Sequence, residues 1–439
     1  MTHLITGWGY PLEEHFVTTA DGFVLGVYRI PHGRTEAAGS RGGTSGGGAG
    51  TSAGGSSSSE GSVGSGGEPV RHSSVGSVRR ALSDSDGAGP SAADGAAAAR
   101  PPVLLWHGLL DSSAAWVLNE PDESLGFILA DAGYDVWMAN TRGNLFSRNH
   151  TGLDPGQPAF WDFSWDDMAA YDMPAVVNYV LKQTGASQLA YVGHSQGTTQ
   201  AFAALASSPA LRRRLSLAVM LAPAVHMGNI RRLPFEILAA LDADRIFNWL
   251  GPMEFLPSTK AAADLFGALC QETPLTCASV ITAVCGFNPD NFNLTRLPTM
   301  VQYAPSGTSV KTIAQWAQAI RRSRQQRRPL FQMYDYGSMC SLPSGRPRTC
   351  NMRVYHSLEP PSYDLGAITS PPLAIFHGGL DKLADPGDVA TLLLALPQGA
   401  VVYEQLEPTY QHLDLTWGID ARQRIYPAVL QLLARFPPV

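Results

Sequence analysis

Charge is scarce in this 439-residue chain: Asp, Glu, Lys and Arg make up 15% of it, against about a quarter in an average globular protein. The net charge is -6, and a chain without a basic patch or stripe is not expected to take nucleic acid as a partner. Long apolar runs are missing too. No stretch of roughly 18 to 20 uninterrupted apolar residues occurs, so no membrane-spanning helix is predicted. Met1–Pro11 lacks the basic, then apolar, then small-residue order of a signal peptide, and no secretory leader is expected from it. Cysteine is rare, with five residues in two local groups, Cys270, Cys277 and Cys285, then Cys340 and Cys350. None forms a C-x-x-C pair, which excludes a readable zinc ribbon or thioredoxin-type site. No metal or organic cofactor is expected. Two short-range disulfides with one thiol left over would suit an oxidising compartment, at odds with the missing leader. The glycosylation acceptor patterns Asn149-His-Thr151 and Asn293-Leu-Thr295 lean the same way.

What is abundant is glycine, 44 residues of it, much in one tract. Residues 35–100 are dominated by Gly, Ser and Ala with almost no aromatics, too poor in apolar surface to offset the entropy of ordering. They are predicted to be a disordered insertion in a surface loop, at about 1 to 2 kcal/mol of extra closure entropy. Within it Arg79-Arg-Ala-Leu-Ser83 reads as solvated linker rather than a kinase site. Before the tract, β-rich runs flank Asp21-Gly22, a hairpin signal. After it come apolar runs at 102–106, 134–139, 188–192, 216–221, 372–376 and 400–404, without strict alternation. That pattern suits strands covered on both faces of a largely parallel sheet. The predicted class is α/β: a core from 1–34, 101–224 and 367–439, interrupted by a largely helical cap over 225–366, where Pro, Cys and short apolar helices dominate.

The chemistry centres on Gly193-His194-Ser195-Gln196-Gly197. This fits the G-x-S-x-G elbow that presents a nucleophilic serine on a sharp turn between strand and helix. Gln188–Val192 reads as the strand and Thr198–Ala206 as a small-residue helix. A serine hydroxyl needs a base to take its proton and a carboxylate to orient that base. In the chain order Ser, acid, His, the histidines up to His194 are removed. His226 and His356 lie in the predicted cap and His377 inside a strand. His412 follows the last strand, opens the final helix and is the candidate base. Asp381, after the glycines that end the 372–376 strand, is the candidate acid. Asp385 precedes Pro386 and reads as a helix cap; Asp388 and Asp414 are given structural roles. The backbone amides of Gln196 and of Leu109, in the loop Trp106-His-Gly-Leu-Leu110, are the candidate oxyanion donors. His107 is expected to hold that loop.

These stretches resemble the acid lipases typified by the gastric and lysosomal enzymes. The similar segments are Gly9-Tyr-Pro-Leu-Glu-Glu-His15, Leu105-Trp-His-Gly-Leu109, Ala132–Asn144 (AGYDVWMANTRGN), Tyr191–Thr199 (YVGHSQGTT), Pro305–Ser309, Leu383–Pro386 and Gln411–Asp414. They run in order through nearly the whole chain outside the low-complexity tract. The resemblance implies an ester hydrolase for neutral lipids, triacylglycerols or steryl esters, met at a lipid-water interface. It implies Ser195, Asp381 and His412 as a triad, and a cap with a mobile lid over an apolar cleft. It also implies peripheral contact with membranes or lipid droplets, a secretory, lysosomal or vacuolar setting, and a Cys270–Cys277 disulfide with Cys285 as a thiol. The Cys270–Cys277 spacing is shorter than the family's. Cys340 and Cys350 bracket what looks like an added loop and are a second candidate bridge. Arg321–Arg328 is a basic expansion after the amphipathic Ile313–Ile320, either a solvated helix end or a surface for anionic lipid. Alternatives on the same residues are an esterase or acyltransferase for other acyl esters, and a catalytically inactive lipid-binding protein. Oligomeric state is not legible.

Overall fold

A computed structural model of the protein describes residues 1–34, 100–231, 236, 251–257, 260–286, 288–341 and 349–439. The expected insertion, apart from Arg100, and the loop 342–348 between the second cysteine pair lie outside the described residues. Eleven strands are described: β1 Glu13–Thr18, β2 Phe23–Ile30, β3 Pro102–Trp106, β4 Asp135–Ala139, β5 Asn149–His150, β6 Leu189–His194, β7 Leu215–Leu221, β8 Glu254–Phe255, β9 Thr308–Ser309, β10 Leu373–Gly378 and β11 Val401–Glu407. Nine of them form one sheet in the order β1-β2-β4-β3-β6-β7-β10-β11, with β5 paired to β2. From β4 through β11 every pairing is parallel; β1 and β5 join β2, and β2 joins β4, antiparallel. The small β8–β9 pair is separate.

The missing alternation in the strand sequences has its cause here. Strands β3, β4, β6, β7 and β10 are buried at every position, because both faces of the sheet carry helices. Their side chains still divide by parity, as successive residues of a strand point to opposite faces. Leu104, Trp106, Trp137, Tyr191, Met220 and Ile375 enter one hydrophobic cluster. Val103, Leu105, Met138, Val192, Val219 and Phe376 enter the other. Helices Met173–Thr184, Gln196–Ser207 and Pro386–Ala395 cover the first face, through residues such as Val177, Phe202 and Val389. Leu125–Asp131 and Tyr426–Arg435 cover the second, through Phe127, Val429 and Leu433.

The segment between β7 and β10 supplies helices Lys260–Glu272, Pro274–Val284 and Val310–Gln326. It is not a free-standing layer. Trp316 and Ile320 sit in the first cluster, and Cys270, Leu297 and Met300 in the second. Cys270 is bridged to Cys277, and Cys340 to Cys350; Cys285 takes part in neither bridge. In the basic end of helix Val310–Gln326, the partly buried Arg322 pairs with Asp335 and Glu359, and the exposed Arg324 donates to the carbonyls of Gly228 and Ile230. Beyond them Gln325 to Pro329 are exposed, so the helix end is solvated, as one of the two expectations had it. No helix among the described residues is long and apolar enough to cross a membrane.

Candidate active site

Parallel strands all end on one side of a sheet, and the loops leaving β3, β6, β10 and β11 meet there. Ser195 sits between β6 and helix Gln196–Ser207 at φ 52 and ψ -119. A positive φ is strained for a residue with a side chain, at roughly 1 to 3 kcal/mol. Surrounding contacts impose it. The Ser195 amide donates to the Leu221 carbonyl, and Thr198 and Thr199 are pinned to the backbone of Ala224. Gly197 lets the helix start against β3, since a Cβ there would lie 2.5 Å from the Trp106 carbonyl oxygen.

His412 lies in the loop after β11, and its Nε2 is 2.7 Å from Ser195 Oγ. Its Nδ1 is 2.8 Å from Asp381 Oδ2. Asp381 Oδ1 accepts from the amides of Leu383 and Ala384 at 2.8 and 3.0 Å. Burial pushes the Asp381 carboxyl upward, but His412 and the two amides outweigh it and hold it below the usual carboxylate range. Serine, histidine and aspartate thus form one continuous hydrogen-bonded line, with 6%, 3% and 1% of their surfaces exposed. Of the competing histidines, His377 faces Glu404, His356 ends helix Asn351–Tyr355 and His226 follows β7. Among the described residues none of the three hydrogen-bonds Ser195.

The competing aspartates stand elsewhere. Asp385 caps helix Pro386–Ala395 by accepting from the Gly387 amide at 2.8 Å. Asp388 accepts from the backbone and side chain of Asn229. Asp414 accepts from the amides of Asn288 and Gln411 at 2.9 and 2.7 Å.

The loop after β3 lies directly against the serine. A Cβ on Gly108 would come within 3.0 Å of Ser195 Cβ and 3.5 Å of its Oγ, so the chain just before Leu109 passes beside Ser195. Gln196 opens its helix, where the first amides have no intrahelical acceptor. His107 holds the β3 loop: its Nδ1 lies 2.8 Å from the Gly108 carbonyl, and its Nε2 receives the Thr141 amide at 3.1 Å. Burial lowers its pKa to about 4. A neutral imidazole can accept at one nitrogen and donate at the other, as these contacts require.

Several residues at this site carried no signal in the sequence reading. Trp316 Nε1 donates to Gln196 Oε1 at 2.8 Å. Asp166 collects Tyr363 Oη, Gln315 Nε2 and the Tyr334 amide within 2.8 Å. Arg142, from the AGYDVWMANTRGN stretch, is buried between Asp21 and Asp172. That stretch entered the resemblance as a string; only three dimensions show that its arginine ties the N-terminal hairpin to the loop after β4. Among the described residues no cluster of His, Cys, Asp and Glu could hold a metal ion.

Comparison with known proteins agrees with this architecture. Residues 101–418 match the family model described as alpha/beta hydrolase fold, and residues 1–56 match the partial alpha/beta-hydrolase lipase region. The chain is 34% identical to human lipase member K over 439 residues, covering 99% of this chain and 91% of that protein. Human gastric triacylglycerol lipase is 33% identical, with 99% and 90% covered. Human lysosomal acid lipase/cholesteryl ester hydrolase is 34% identical, with 99% and 91% covered. About a third of the residues shared over nearly the full length, together with the match to the family model, leaves one conclusion: the chain belongs to the acid lipase family, carboxylic ester hydrolases of the α/β-hydrolase fold.

Proposed function

We propose that the protein hydrolyses neutral lipid esters, triacylglycerol or steryl ester, with Ser195 as nucleophile, His412 as base and Asp381 as its orienting acid. The observation that carries this reading is the 2.7 Å contact between Ser195 Oγ and His412 Nε2, backed by Asp381 at 2.8 Å. As Ser195 Oγ bonds to the ester carbonyl carbon, its proton passes to His412 Nε2. The carbonyl oxygen becomes an oxyanion held by the amides of Leu109 and Gln196, each donor being worth about 3 to 4 kcal/mol of barrier. Collapse expels the alcohol, which takes the proton from His412, and leaves an acyl-serine. Water then adds to the acyl carbon, His412 accepts its proton, and the fatty acid departs as Ser195 regains a hydrogen.

We assign 1–34, 101–224 and 367–439 to the core and 225–366 to a cap. In support, every strand of the large sheet falls in the first set and β8, β9 and the three intervening helices in the second. Helices Lys260–Glu272 and Pro274–Val284, joined by Cys270–Cys277, expose Leu265, Leu269 and Leu275 by 68%, 51% and 71%. An apolar face of this kind favours contact at a lipid-water interface. The choice of lipid follows the names of the relatives, one a triacylglycerol lipase and one a cholesteryl ester hydrolase.

The test is stoichiometric labelling by a fluorophosphonate, lost in Ser195→Ala, followed by turnover of emulsified triolein and cholesteryl oleate. An unlabelled wild-type protein would sink the mechanism. Preference for short soluble esters over both emulsions would replace a lipase with an esterase.

A further inference from the structure

The residue before the nucleophile is used by nothing described so far. His194 ends β6 with 2% of its surface exposed. Its Nε2 lies 3.1 Å from the main-chain carbonyl oxygen of His412, and the two rings stand 5.0 Å apart. A carbonyl only accepts, so Nε2 carries the hydrogen and Nδ1 a lone pair. No hydrogen-bond partner for that buried Nδ1 is found among the described residues, and it faces Gly108, where a Cβ would meet it at 3.3 Å. Space there admits a lone pair and would not serve a second N–H.

The surroundings keep the ring in this state. Burial first, then the nearby His412, lower the pKa of His194 to about 3; the hydrogen bond to the His412 carbonyl and then Asp381 oppose, and His107 adds to the lowering. A second imidazolium this close would repel the one that forms on His412 during catalysis. A neutral ring lets the two histidines lie side by side through the whole cycle.

We infer that His194 is a positioning residue for the reaction: through a single Nε2–H donated to the His412 carbonyl it holds the base loop so that the His412 ring stays on Ser195 Oγ. The elbow thereby aligns its own base, since adjacent residues of one strand end present the nucleophile and tether the loop that activates it. This rests on the roles assigned above to Ser195, His412 and Asp381. Misplacement of a catalytic group by about 1 Å can lower turnover about 100-fold, which sets the scale of the effect.

The experiment compares the full-length protein with His194→Gln, which keeps an N–H donor, and His194→Phe, which keeps a ring and loses it. Readouts are kcat and KM on a soluble ester, the rate of fluorophosphonate labelling, and thermal melting. Expected for His194→Phe is a fall in kcat and labelling rate of about 10- to 100-fold at nearly constant KM, with His194→Gln recovering most of it. Equal activity in all three proteins overturns the inference, as does an equal loss in both variants. Should His194→Phe not fold, the acid limb of the kcat/KM profile decides with the wild type and His194→Gln alone. One proton governing that limb in both proteins supports a permanently neutral His194; a second proton present in the wild type and absent in His194→Gln refutes it. Failure of the wild type to label would instead sink the proposed function, so the two failures are distinguishable.

Discussion

Ser195 and His412 reach their 2.7 Å contact by opposite means. The serine is placed by backbone: β6 on one side, a helix on the other, and a positive φ that both enforce. The histidine has no regular element under it. Its loop is held by tethers, from the His194 ring to its own carbonyl, from Asp414 to the amides of Gln411 and Asn288, and from the Leu413 amide to the Gly286 carbonyl. The serine is held at a strained turn in a rigid frame, whereas the histidine is held by polar contacts that reach into the segment between β7 and β10. Damage on the first side should act through sterics, and on the second through lost hydrogen bonds.

The largest expected effect strikes the tethered side at its end. Asp381→Asn leaves a side chain that can no longer accept from His412 Nδ1 and hold two amides alike, and kcat should fall about 10⁴-fold, measured on a soluble ester with labelling as a control. On the rigid side, Gly108→Ala drives a Cβ to within 3.0 Å of Ser195 Cβ. A loss of roughly 100-fold in kcat/KM is expected with melting little changed; an unaltered rate would mean that the loop simply steps aside. Asp414→Asn turns one acceptor toward an amide as a donor, at about 1 to 3 kcal/mol. It should lower both melting temperature and kcat, the mark of a tether, which calorimetry and kinetics on one preparation would separate from a local catalytic defect.

The smallest effect concerns pH. Burial raises the Asp111 carboxyl, in the loop after β3, to about 7. Because the folded state binds this proton more tightly than the unfolded chain, the associated stability is full below about 4 and is lost as pH rises through about 7. Asp111→Asn removes that dependence. The wild type should melt below the variant above pH 7, by at most about 4 kcal/mol in stability, and the gap should close toward pH 4. His107 and His194, both lowered by burial, run in the opposite sense but are common to both proteins.

The same contrast explains what could be read without coordinates. The elbow is local, so Gly193–Gly197 with its flanking runs carries strand, turn and helix in one stretch. The strands were legible because burial on both faces leaves uninterrupted apolar runs. Asp381 and His412 followed from chain order and strand ends. Their supports did not: His194 and His412 are 218 residues apart, and Asn288 and Asp414 are 126 apart, and short polar residues have no periodicity that marks a distant partner. The final helix was expected to open at His412. Instead the chain forms Asp414–Trp417, Ala421–Arg424 and Tyr426–Arg435, because Gly418 leaves the helix in extended conformation and Pro427 starts a new one. In the basic expansion the exposure of the helix end was legible, but the partners of Arg322 and Arg324 were not, since Asp335, Glu359, Gly228 and Ile230 lie outside that stretch.

The register of the sheet also says where this protein tolerates growth. Ile30 at the end of β2 pairs with Val136, and Pro102 at the start of β3 pairs with Asp135. The two flanks of the long glycine-rich stretch therefore stand on either side of one strand, about 10 Å apart at the usual strand spacing. Arg100 reinforces this doorway by donating to the Pro31 carbonyl at 3.2 Å. Ser195 follows the opposite end of the parallel strands. The junction at 34 and 100 is thus a splice point remote from the chemistry, suited to a reporter, an affinity handle or a short bridging peptide in an enzyme meant to keep its turnover.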